Sequence, residues 1–155
     1  MIQRIQTIYL FAIVVLIGLT LMMPLADFIS QAQHAIYQLK CSGVWQIIST
    51  GNVLHATVWS LSSVVGVIPV LALIAIFQYK DRVKQIRLCV INFVLIILFY
   101  VSLFVNIWLT AKEINADWSL DVASLFPLVA AILNYLAIGA IGKDEALVKS
   151  LDRLR

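Results

Sequence analysis

Apolar residues in this chain fall into four runs, Ile5 to Ala26, His55 to Tyr79, Leu88 to Ala111 and Val122 to Gly142, and none contains Asp, Glu, Lys or Arg. Each reaches the roughly 20 residues that a helix needs to cross a bilayer. In lipid the backbone must satisfy its own hydrogen bonds, and the strict alternation of a membrane β-barrel is missing, so the pattern predicts helices. The expected fold is an all-α integral membrane four-helix bundle, a single domain over residues 1–155.

Finer patterning within the runs predicts how the helices meet. Helices in lipid associate through small residues and hydrogen bonds rather than through burial of more leucine. Ala123, Pro127, Ala130, Asn134, Ala137 and Ile141 recur at steps of four and three, which gives span four one narrow packing stripe. Cys89, Asn92, Ile96, Phe99, Leu103 and Asn106 repeat the pattern in span three. The two asparagines then lie about 21 Å apart in height. Span two offers Ser62 and Gly66 at small-xxx-small spacing, followed by Pro69, whose missing amide hydrogen predicts a kink. We read Ser62, Gly66, Pro69, Asn92, Asn106, Ala130, Asn134 and Ala137 as helix-packing residues. A polar path for an ion or a headgroup is the competing reading of the asparagines, disfavoured because no span carries an ionisable side chain.

Between spans one and two, Ala35 to Leu39 and Val44 to Ile48 flank the turn-like Lys40, Cys41, Ser42 and Gly43, which suits a short β-hairpin in the first outer loop, residues 27–54. The tail, residues 143–155, reads as an amphipathic helix that continues span four, lies in the interface or docks onto a partner. Its acids Asp144 and Glu145 come first, its cations Lys149, Arg153 and Arg155 last, and Leu147, Val148, Leu151 and Leu154 share a face.

Composition fits lipid rather than water: 63% of the residues are hydrophobic and 12% charged, against about 45–50% and about 25% in soluble domains. The 11 Lys and Arg are divided unevenly. Arg4, Lys80, Arg82, Lys84, Arg87, Lys143, Lys149, Arg153 and Arg155 fall on one side of the spans, and only Lys40 and Lys112 on the other. Cationic loops stay in the cytoplasm, so both termini are expected there. Trp45, Trp59, Trp108 and Trp118 all fall at the opposite, outer side. A signal peptide ending near Ala32 is the alternative reading of the first run, but Ile8 to Leu25 exceeds a typical signal core.

Candidate chemistry is sparse. His34, His55 and Asp27 lie on the outer side with Glu113, Asp117 and Asp121, at no metal-binding spacing. No metal, cofactor or catalytic residue is expected. Cys41 and Cys89 belong to opposite sides of the bilayer and cannot pair within one chain. Arg4, Lys80, Arg82, Lys84, Arg87, Lys149 and Arg153 are expected to contact anionic lipid headgroups or a partner protein. No nucleic-acid signature is present.

The segments Met1 to Thr7, Tyr79 to Cys89 and Lys143 to Arg155 together resemble an uncharacterised Bacteroidota family of small four-helix inner-membrane proteins. The resemblance implies a bacterial inner-membrane location and supplies no activity or catalytic residues. The expected function is that of a non-enzymatic accessory or assembly subunit bound to a membrane-protein partner. The alternative is a lipid-handling enzyme or small-solute transporter, with an outward cavity lined by Asp27, His34, His55, Asn106 and Asp121. A homo-oligomer through Ser62 and Gly66 is the third reading.

Overall fold

The computed structural model describes residues 2–30, 35–48, 51–79 and 81–152. Four helices alternate with strands: α1 (Ile2–Met22), β1 (Ala26–Ser30), β2 (Ala35–Lys40), β3 (Gly43–Ile48), β4 (Gly51–Thr57), α2 (Trp59–Phe77), α3 (Arg82–Ile114), β5 (Asp117–Leu120), a short 3-10 turn at Val122–Leu125, and α4 (Phe126–Asp152). All four helices are long and apolar enough to cross a membrane.

The all-α expectation is wrong. The strands form one five-stranded antiparallel sheet, in the order β4-β3-β2-β1-β5. The hairpin foreseen between spans one and two is only its β2–β3 part, with Lys40 paired to Gly43 across a two-residue turn. Two boundaries change with it. Pro24 cannot continue a helix, so α1 ends at Met22 and Ala26 opens β1. His55, read as the start of span two, lies in β4, and α2 begins at Trp59. The tail helix continues span four, because α4 runs unbroken through residues 143–152.

Each helix buries one stripe at steps of four and three. In α1 it is Gln6, Leu10, Ile13, Ile17 and Thr20; in α2, Leu61, Val65, Ile68, Ala72 and Ala75. In α3 it is Gln85, Cys89, Asn92, Ile96, Phe99 and Leu103; in α4, Ala130, Asn134, Ala137 and Ile141. That spacing is the signature of near-parallel packing with a left-handed crossing. Helix α1 packs on α2 and α4, and α3 packs on the same two, so the stripes meet along a common axis. The other faces expose Ile8, Phe11, Val94, Ile97, Val101 and Leu128, an apolar belt far beyond the few hundred Å² that a soluble monomer displays.

The sheet stands at one end of the helices and satisfies their free carbonyls. An α-helix leaves its last four C=O groups without intrahelical partners. The Cys41 Sγ donates to the Thr20 carbonyl near the end of α1 at 3.4 Å, and the Ser30 hydroxyl donates to the Ile114 carbonyl that ends α3 at 3.0 Å. The Ser62 hydroxyl on α2 donates to the Cys41 carbonyl at 2.5 Å. Ala26, Phe28, Tyr37, Leu39 and Val44 form the inward face, while Ile29, Ile36 and Ile47 are exposed on the other. The opposite end of the helices carries the Arg82, Lys84 and Arg87 cluster.

Candidate functional site

Two regions carry polar groups that local structure does not require. The first is the buried seam in the half of the helices nearest the basic end. Asn134 on α4 is fully buried and its amide donates to the Cys89 carbonyl on α3 at 2.9 Å, leaving its Oδ1 without a partner among the described residues. One turn along α3, Asn92 is 1% exposed and neither its Nδ2 nor its Oδ1 has a partner there. On α1, Gln6 is 3% exposed and its Nε2 is likewise unpartnered. Gln85, in the first turn of α3, is buried as well. Sequence reading passed over Gln6 and Gln85, although both occupy positions of the four-and-three stripe and were legible there.

The remaining packing candidates divide. Ala130 and Ala137 are fully buried beside Asn134. Ser62 bonds the sheet rather than a neighbouring helix. Gly66 is exposed, with nothing within 4 Å of the position a Cβ would take. Pro69 sits half-buried inside a helix that continues through it. Asn106 donates to the Ser60 hydroxyl at 3.1 Å and the Ser102 carbonyl at 2.7 Å, which ties α3 to the start of α2.

At the basic end Arg82 is not free for lipid: it pairs with Asp144 at 3.0 Å and also donates to the Asp144 carbonyl at 3.4 Å, fastening α3 to the extension of α4. Lys84 pairs with Asp81 at 2.7 Å, both exposed. Arg87 is exposed and shares a cleft of about 460 Å³ with Arg82, Lys84 and Glu145. The side chains of Arg4 and Lys149, and the whole of Lys80 and Arg153, lie outside the described residues. A second cleft of about 580 Å³ opens between α1, α2 and α3, lined by Gln6, Thr7, Ile8, Ile76, Phe77, Tyr79 and Gln85.

The residues considered for an outward cavity do not converge, and the Asp27 Oδ1 is buried without a partner among the described residues. The His55 ring meets Tyr37 edge-on at 5.5 Å between centroids, and Asp121 caps the 3-10 turn by accepting from the Val122 amide at 2.6 Å. Asp27 lies on β1, three strand spacings from His55 on β4, or about 14 Å. His34 lies outside the described residues. Among the described residues no group of three His, Cys, Asp or Glu side chains could hold a metal ion. Cys41 and Cys89 are both free and buried.

The second region is the sheet itself. Strand β4 is exposed along nearly its whole length, and among the described residues it pairs only with β3, and β5 only with β1. On the outward face Ile29, Ile36 and Ile47 align in register across β1, β2 and β3. They are 56%, 48% and 39% exposed.

Four membrane-length helices joined to a five-stranded antiparallel sheet define a protein of mixed helix and sheet. The chain belongs to the DUF4293 family, described as a domain of unknown function, whose family model matches residues 2–154. A search of curated proteins found no match.

Proposed function

We propose that the protein is a four-span subunit of a bacterial inner membrane, non-enzymatic, with both termini in the cytoplasm, and that its sheet docks a segment of a partner membrane protein. The observation that carries this reading is the in-register row of Ile29, Ile36 and Ile47 beside the edge strand β4. A row of exposed isoleucines next to an open edge is what proteins ordinarily cover or charge, because it recruits strands from other chains. Augmentation of β4 by a partner strand would supply main-chain hydrogen bonds, and the isoleucines specificity.

Membrane placement draws on the apolar belt, and orientation on the bias of Lys and Arg toward the α2–α3 connection and the tail. Trp59 and Trp108, 80% and 63% exposed, lie at the sheet end, at the depth indoles favour. The Lys112 ammonium rests 5.3 Å from the Trp108 ring centroid.

Affinity purification from the native membrane in mild detergent tests the proposal, with the wild type beside an Ile36→Lys, Ile47→Lys, Val53→Lys variant. A stoichiometric partner is expected with the wild type and lost with the variant, while both insert equally. Recovery of the wild type as an isolated chain, or a partner that the variant retains, overturns it.

A further inference from the structure

The cleft at the basic end is a built site rather than a gap in packing. Its volume of about 580 Å³ falls in the roughly 300–1,000 Å³ range of small-molecule sites. Ile8 on α1 and Ile76 and Phe77 on α2 give it apolar walls. Among them the Gln6 amide is 3% exposed and its Nε2 lacks an acceptor among the described residues. A buried N–H left without a partner costs about 1–3 kcal/mol, so a chain that keeps one at the wall of a cleft gains when a bound molecule supplies an acceptor.

Depth selects the molecule. Gln6 is four residues from the start of α1, or about 6 Å along its axis, and Gln85 lies in the first turn of α3. Helices α1 and α2, of 21 and 19 residues, are each about 30 Å long and match the hydrocarbon core. Gln6 therefore lies near the boundary between acyl chains and headgroups, where glycerolipids carry their ester carbonyls. No cation among the described residues lines the cleft. Its polar groups come from Gln6, Thr7, Tyr79 and Gln85, of which the Gln6 Nε2 is a buried donor without a partner among the described residues, and an apolar trough lies beside them.

We infer that the cleft between α1, α2 and α3 binds one membrane glycerophospholipid, the Gln6 Nε2 donating to an ester carbonyl and an acyl chain lying against Ile8, Ile76 and Phe77. The site lies at the opposite end from the sheet and is independent of partner docking. It rests on the membrane placement, which is read separately from whether the chain requires detergent for extraction.

The test uses the full chain in detergent, with native mass spectrometry to count bound lipid. Dioleoyl phosphatidylethanolamine is compared with its dialkyl ether analogue, which has the same headgroup and chains but no carbonyl. One ester lipid is expected to bind about tenfold more tightly than the ether, the value of one hydrogen bond in a dry site. Gln6→Leu should abolish that preference while circular dichroism and melting show an intact fold; Gln6→Met, which keeps the length but lacks a donor, should abolish it too. Equal binding of ester and ether by the wild type, or a preference that survives Gln6→Leu, would each overturn the inference.

Discussion

Asn134 on α4 donates to the main-chain carbonyl of Cys89 on α3 across 2.9 Å, with both residues shielded from solvent. Interhelical hydrogen bonds of this kind are worth about 0.6 kcal/mol on average and up to about 1.7. Asn134→Ala should therefore destabilise the protein by about 1–2 kcal/mol, since it also leaves a small void between Ala130 and Ala137. Asn134→Leu should cost less, because it removes the unpartnered Oδ1 together with the bond. Reversible unfolding in mixed micelles ranks the two variants, and a larger loss for leucine would show that the amide does more than bridge two helices.

Gly43 opens β3 at φ 154°. A methyl group there would strike the Ala56 carbonyl oxygen and lie 2.9 Å from Leu54 Cδ1, both on the neighbouring strand β4. The backbone cannot yield easily, because the β3–β4 register shifts at Val44 and Trp45 immediately beside it. Gly43→Ala should cost about 1–3 kcal/mol and detach β4 first. Hydrogen exchange should show protection lost in residues 51–57 while the helices keep theirs.

How far the sequence speaks depends on contrast. Alanine and asparagine at four-and-three spacing in span four stand out against isoleucine and leucine, and those positions are where the helix is buried. The Gln6 and Gln85 positions obey the same rule but sit next to charged segments, where glutamine looks like ordinary surface. The strands beyond the β2–β3 hairpin were hidden for a different reason. Val53, Leu54 and Ala56 are as apolar as the helix that succeeds them, so periodicity runs β4 into α2 without a seam. At the other end of the sheet β5 has only four residues, too few to show alternation, and it pairs with a strand some ninety positions away in sequence. Pro24 and the left-handed Asn115 that ends α3 mark helix ends legibly. Whether a strand succeeds each helix is decided by pairing partners that a linear reading does not contain.

Cys41 lies outside the helices, 2% exposed, with its thiol donating to the Thr20 carbonyl. Burial pushes its pKa from 9.0 up to about 11, against a smaller opposing effect of a backbone hydrogen bond. At pH 8 the thiolate fraction should be about a hundredfold below that of an unperturbed thiol, and alkylation correspondingly slow. Stability shifts with it: a thiol whose folded pKa is raised stabilises the fold fully below pH 9 and loses that contribution as pH climbs toward 11. Iodoacetamide labelling across pH 7–10 checks the first point. Labelling at the rate of a free thiol at pH 8 would mean that the β2–β3 turn opens away from α1.

Arg82 and Asp144 join α3 to the far part of α4 with an ion pair of 3.0 Å and a second bond from the guanidinium to the Asp144 carbonyl. Their side chains are 24% and 15% exposed, so the pair is screened less than a surface contact but remains within reach of water. A double-mutant cycle on Arg82→Ala and Asp144→Ala should return a coupling of about 1 kcal/mol, decreasing as salt rises. Arg82→Lys should recover only part of it, since an ammonium cannot hold a carboxylate and a carbonyl in the fixed fork that a guanidinium provides. The structural readout is the spacing between a label at Val83 and one at Leu147. Loss of the pair should broaden that distance distribution in electron paramagnetic resonance, whereas an unchanged distribution in Asp144→Ala would assign the position of the α4 extension to packing instead of charge.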